Sequence, residues 1–164
     1  MLRRAKELIR FKLGARDGEI GRVKDFYFDD QRWTIRYLVA DTGTWLTGRL
    51  VLISPFAVTG VNFEHQNIEV KLTKEQIENS PSIDTEKPVS RQFEADYARY
   101  YGWPMYWYGP ALWGPAPYPD YPPTETMGRE AAESDPAIRD LRGDPRLRSA
   151  SEVEGYYLQA RDGA

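Results

Sequence analysis

Over the first half of the chain, apolar residues come in short runs separated by turn-forming pairs. Between Leu8 and Ala15, Ile9, Phe11 and Leu13 alternate with Arg10, Lys12 and Gly14, which predicts a half-buried strand. Asp17-Gly18 follows, a pair whose backbone tolerates positive φ and so marks a hairpin turn. Ile20 to Phe28 is rich in β-formers, but its alternation breaks, which predicts a bulge or burial on two faces. Asp29-Asp30 interrupts it. Trp33 to Ala40 makes a third strand, with Ile35, Tyr37 and Val39 on one face and Thr34, Arg36, Leu38 and Ala40 on the other. Thr42-Gly43 breaks this run. Leu50 to Ile53 is apolar on both sides, which predicts a central strand, and Pro55 stops it. Ala57–Asn62 and Asn67–Leu72 read as a last hairpin, turning at Glu64–Asn67, with Ile68, Val70 and Leu72 inward. Short strands at this spacing predict a mainly β fold, a small barrel or meander of about six strands.

Helical signals come next. Thr73 and Gln76 fit a capping box, predicting a short helix to about Asn79 that Ser80-Pro81 stops. Ser82 to Val89 reads as loop. Ser90 is an N-cap for a second helix through Tyr101, on which Phe93, Tyr97, Tyr100 and Tyr101 form one aromatic stripe. Residues 102–123 then hold seven of the 12 prolines, with Trp103, Trp107, Trp113 and four tyrosines. Proline at this density disfavours helix and central strand, and predicts an extended, polyproline-like arm. Aromatic content of this kind gives the arm two readings. It docks on a partner, with Trp103, Tyr106, Trp107, Trp113 and Tyr118 as anchors, or it wraps its own barrel and completes a small core. Thr124 to Arg146 is polar and reads as a linker, with a helical turn near Pro136–Leu141.

Glu19-Ile-Gly-Arg-Val-Lys-Asp25, then Trp33, Arg36-Tyr37-Leu38-Val39, Asp41-Thr42, Trp45 and Val51-Leu52-Ile53-Ser54-Pro55, resemble the PRC-barrel family. A stretch ending Tyr-Gly-x-Pro-x-Tyr-Trp follows the barrel in that family, and here Tyr101 to Trp107 resembles it. The family is named for the cytoplasmic domain of the photosynthetic reaction centre H subunit, and a similar barrel ends the bacterial ribosome-maturation factor. The resemblance implies a PRC-type barrel over 1–80, with Gly18, Gly21, Asp25, Trp33, Asp41, Trp45 and Pro55 as structural family positions. Residues 81–123 would be a helix plus the aromatic and proline-rich extension, and 124–146 the linker. It also implies an interaction role without catalysis, in the manner of assembly subunits of electron-transfer complexes. Protein partners, copies of the same chain among them, follow from that role. A fold alone does not fix an activity.

The chain also repeats itself. Residues 2–18 align with 147–163 at a constant offset, with identities at Leu2/Leu147, Arg3/Arg148, Ala5/Ala150, Glu7/Glu152 and Leu13/Leu158, and again from Ala15-Arg16-Asp17-Gly18 to Ala160-Arg161-Asp162-Gly163. The expectation is that 147–164 starts a second PRC-barrel copy, cut short after its first strand and turn. A lone strand is unstable in water, so Glu152–Arg161 should be disordered or add to an open sheet edge.

Composition narrows the chemistry. A net charge of −3 gives no global attraction to nucleic acid or anionic membrane. The absence of cysteine removes disulfides and thiolate chemistry and fits a cytoplasmic setting. The basic N-terminus lacks the apolar run of a signal peptide, and no stretch approaches the ~20 apolar residues of a spanning helix. Asp41-Thr42-Gly43 resembles the catalytic loop of retroviral-type aspartic proteases, which would require a dimer; the competing reading is a turn-forming aspartate. Asp25, Asp29, Asp30 and Glu19 form an acidic cluster without the spacing of a calcium loop, and read as a solvated turn. His65 reads as an exposed turn residue. Gly14, Gly18 and Gly21 are too scattered for a phosphate loop. Basic residues from Arg3 to Arg16 interleave with Phe11 and raise an RNA-binding alternative akin to ribosome maturation, which the acidic total opposes. No cofactor, metal ligand set or catalytic residue is expected.

Overall fold

A computed structural model describes residues 4–83, 89–119 and 147–155. The expected linker and residues 156–164 lie outside them. Six strands form in the first 70 residues: β1 (Lys12–Ala15), β2 (Gly18–Asp29), β3 (Thr34–Asp41), β4 (Leu50–Ile53), β5 (Val58–Asn62) and β6 (Asn67–Val70). A seventh, β7 (Leu147–Ser149), comes from the far end of the chain. The α-helices among the described residues are α1 (Lys74–Glu78), α2 (Arg91–Tyr101) and the short α3 (Ala150–Val153).

All seven strands belong to one sheet, ordered β4-β3-β2-β1-β6-β5, with β7 added to β2. The sheet is mainly antiparallel, with a parallel β1–β6 pair. Its hydrogen-bonded path stays open between β4 and β5, so the closed ring of an ideal barrel is not formed. The curl comes from β2. This twelve-residue strand carries irregularities between Val23 and Asp25 and between Tyr27 and Phe28, where it bends. Its broken hydrophobic alternation is the sequence trace of those bulges.

At Gly21 the bend requires glycine. Its φ is +142°, and a Cβ there would lie 2.0 Å from the Asp41 carbonyl oxygen, so no side chain fits between β2 and the end of β3.

The first strand begins later than its alternation suggests. Ala5–Leu8 forms a 3₁₀ turn, Arg10 adopts a φ of +71°, and pairing starts at Lys12. Phe11 and Leu13 still enter the core. The Leu50–Ile53 strand is buried on both faces, as its composition requires, yet it stands at the end of the hydrogen-bonded order rather than at its centre. What replaces its missing neighbour is α2. The Tyr97 hydroxyl accepts from the Ser54 backbone N–H at 3.1 Å and donates to the Leu52 carbonyl at 2.9 Å. A side chain thereby covers an edge that would otherwise recruit another strand.

Both helix starts form where the capping residues stand. Thr73 accepts from the Gln76 backbone while the Gln76 side chain reaches back to the Thr73 N–H. Ser90 caps α2 through the Phe93 N–H, and Gly102 ends it in the left-handed conformation at φ +70°. No helix among the described residues is long and apolar enough to cross a membrane.

The arm is not extended. Residues 102–119 fold into successive tight turns, with a Tyr108 N–H to Met105 C=O bond and bridges pairing Ala111 with Gly114 and Trp113 with Ala116. Gly109 and Gly114 supply the positive φ these turns need. Proline excluded helix and strand here, but it did not exclude a compact coil.

Candidate functional site

The arm lies on the outer face of β3 and the flank of α2, and this contact is polar at its heart. Arg36 projects from β3 with no exposed surface, because the arm closes over it. Its guanidinium pairs with Asp29 at 3.2 Å and donates to the Leu112 carbonyl of the arm at 2.8 Å. The Tyr106 ring lies 3.9 Å from the Arg36 Cζ atom and the Trp113 ring 4.8 Å, so two arm aromatics sandwich the cation. Beside it, Glu94 of α2 is 3% exposed and pairs with Arg91 at 3.1 Å. Tyr106 donates its hydroxyl proton to Glu94 at 2.6 Å, and Tyr37 does so at 3.2 Å. Arg91 also stacks on Trp107, with its Cζ atom 4.2 Å from the ring.

Burial sets the electrostatics of this cluster. It pushes the Glu94 carboxyl up to about 7, against the opposing pull of Arg91 and the two tyrosine hydroxyls. Burial likewise raises the Tyr37, Tyr97 and Tyr106 hydroxyls well above their usual range, so these stay proton donors. It lowers Arg36, which Tyr106 and Asp29 counteract.

Of the five arm anchors, Trp103, Tyr106 and Trp113 are buried against the barrel and Trp107 is half-buried. Phe56 stacks on Trp103 and meets Trp113 edge-on. Their large apolar surfaces complete the core of a small barrel, and these three side chains face inward. Tyr118 remains 68% exposed.

The acidic cluster also divides. Asp29 turns inward to Arg36, and its other oxygen accepts from the Gln31 and Arg32 N–H groups. Asp30 pairs with Arg148 at 2.9 Å, and Glu19 with Lys12 at 3.6 Å. Asp25 faces the C-terminal segment. It takes the Ser149 hydroxyl, the Ser151 N–H at 3.1 Å and the Ser151 hydroxyl at 2.8 Å. A solvated turn is therefore the wrong description for Asp25 and Asp29: β7 and the residues after it supply partners to Asp25, and Asp29 is buried against Arg36, over which the arm closes.

Strand β7 occupies a definite place. β3 covers one edge of β2, while β1 covers the start of the other and leaves its far end free. There β7 pairs antiparallel, with Tyr27 opposite Ser149, Phe28 opposite Arg148 and Asp29 opposite Leu147. Leu147 is buried, and Ser149 caps α3 through the Glu152 N–H. The residues that add to the sheet thus begin earlier than Glu152, where the expected added strand began.

The remaining family positions are structural in different ways. Gly18 closes the β1–β2 turn, and Asp17 beside it accepts from the Lys74 N–H at 2.8 Å. Asp41 accepts from the Gly43 N–H at 2.9 Å, which is a turn-forming contact. Lys74 lies over the Trp45 ring at 5.0 Å. Pro55 opens a 3₁₀ turn capped by Ser54. His65 sits in the β5–β6 turn, exposed.

Trp33 departs from this pattern. It ends the β2–β3 turn at φ +50°, 68% exposed, and stacks on Phe28 with centroids 5.4 Å apart. A bulky residue rarely adopts that backbone, and large aromatics rarely face water this openly. Its neighbour Arg32 ties the turn to the arm through the Ala111 carbonyl at 2.8 Å.

Comparison with known proteins gives one family match. A model of the PRC-barrel domain matches residues 2–77. No curated protein matches the chain.

Proposed function

Residues 2–77 being a PRC-barrel domain, we propose that this chain is a non-enzymatic interaction module that binds protein partners, copies of itself among them. Trp33 carries the reading. Its side chain stands on a strained turn that Arg32 ties to the arm, and is backed by the Phe28 ring, yet it is left facing outward. Backbone strain of this kind costs roughly 1–3 kcal/mol and persists where surrounding structure imposes it. A rigid exposed tryptophan is the residue type that most often anchors a protein interface. Tyr118 offers a second exposed aromatic on the arm. The sealed cluster around Arg36 supports the scaffold that presents them.

Residues 147–164 fit the same reading as the leader of a second PRC copy. The nine identities between 2–18 and 147–163 and the edge pairing of β7 support it.

The test replaces Trp33 by Asn, which tolerates positive φ and removes the ring without disturbing the turn. Molar mass by light scattering, and capture of a tagged second copy of the chain, should both fall. Unchanged mass and capture would reject Trp33 as the contact.

A further inference from the structure

The far end of the outer β2 edge is a docking slot for a peptide strand, and its contacts do not depend on chain connectivity. We infer that this slot takes the leader segment 147–155 of a second copy of the chain, giving dimers by exchange of β7 and α3. The inference deepens the self-association proposed above but rests on a different surface.

The slot has three parts. The Tyr27–Asp29 backbone offers the hydrogen bonds of a strand edge. The Asp25 carboxylate gathers the Ser149 and Ser151 hydroxyls and the Ser151 N–H, and also accepts from its own neighbour Phe26. Asp30 binds the Arg148 guanidinium. At the contact, two carboxylates thus meet one cation and three donors, while Glu152 and Glu154 of the segment are exposed. Leu147 fills the apolar end of the slot. Lys6, in the first leader, pairs with Glu154 in the second.

The sequence relates the leader in the slot to the one that opens the chain. Ala5–Leu8 and Ala150–Val153 are equivalent positions of the repeat, and both form a single helical turn. The leader that β2 holds belongs to the second copy and reaches it from beyond residues 120–146, a stretch of 27 residues by number. The bonds that seat it join groups within 147–155 to β2, Asp30 and Lys6, all of residues 4–30, so a leader from another copy makes the same set. Which copy supplies it depends on effective concentration.

The chain has no cysteine, so single labels are straightforward to place. One preparation carries Glu152→Cys with a donor dye, a second carries Lys24→Cys with an acceptor; both residues are exposed. Both are full chains with Trp33→Asn, so contact through that ring cannot bring the dyes together. On mixing, intermolecular energy transfer should appear and rise with protein concentration. An unlabelled 145–155 peptide in excess should reduce it. Asp25→Asn in the acceptor copy should lower transfer at least tenfold, and Ser149→Ala with Ser151→Ala in the donor copy should do the same without touching the barrel. Transfer that occurs only when both dyes are on one chain would overturn exchange. So would intermolecular transfer indifferent to these substitutions. Either result leaves the Trp33 test to stand or fall independently.

Discussion

The Tyr97 hydroxyl bridges the open edge of the sheet by donating to the Leu52 carbonyl at 2.9 Å and accepting from the adjacent Ser54 N–H at 3.1 Å. One phenol thus satisfies a donor and an acceptor that a further strand would otherwise satisfy. Tyr97→Phe keeps the ring packing against Tyr37 and Trp103 and removes only the oxygen. It leaves two buried backbone groups without that partner, so urea denaturation should show a loss of about 1–3 kcal/mol with an unchanged m-value. Loss of the edge cover should also raise the tendency to aggregate.

Arg36 joins the barrel to the arm through Asp29, the Leu112 carbonyl and two aromatic rings. Arg36→Leu strands the Asp29 carboxylate in the interior. Removing one partner of a buried pair typically costs about 3–5 kcal/mol. The same substitution should shift the tryptophan emission to the red, because Trp113 loses the group it packs on. A stability change below about 1 kcal/mol would show that the arm is held by its apolar contacts alone.

Stability should also depend on pH through Glu94. Its folded value of about 7 lies above the ordinary 4.5, so the folded protein holds a proton that the unfolded chain releases between those values. The contribution is complete below about pH 4.5 and is lost as pH rises through 7. Over that window this one group lowers stability by at most about 1.4 kcal/mol per pH unit. The groups facing it are Arg91, Arg36, Tyr37 and Tyr106. Denaturation midpoints measured from pH 5 to 8 should fall for the parent chain. They should fall less steeply for Glu94→Gln, and parallel curves would contradict the assignment.

Gly21 is a backbone requirement. Gly21→Ala places a methyl group against the Asp41 carbonyl at a φ that alanine avoids. A cost of about 3 kcal/mol or more follows, seen as a large drop in Tm. Gly43→Ala, also at positive φ but with open space around it, should cost less.

Much of this fold was legible because its signals are local. The strand spans, the Thr73–Gln76 box, the Ser90 cap and the Asp41 turn each depend on residues within a few positions of one another. The bulged β2 was visible as broken alternation. What the sequence hid was long-range. Leu50–Ile53 announces burial on both faces, but burial by a helix and burial by neighbouring strands leave the same composition. Asp29, Arg36 and Glu94 resemble solvated charges until Leu112, Trp113 and Tyr106 close over them. The aromatic arm signals a need for apolar contact without saying whether its own barrel or another molecule meets that need. The repeat exposed the leader at 147, yet nothing local reveals that Asp25 receives it.

In the proposed module the arm belongs to the scaffold and the β2–β3 turn is the contact surface. The molar mass of the parent chain against Trp33→Asn, by light scattering across a concentration series and with Ser149→Ala and Ser151→Ala in both chains so that exchange of β7 does not contribute, tests it most directly. The parent should show concentration-dependent association, and the variant should weaken that association at least tenfold while keeping the same Tm. Identical association in both chains would contradict the account.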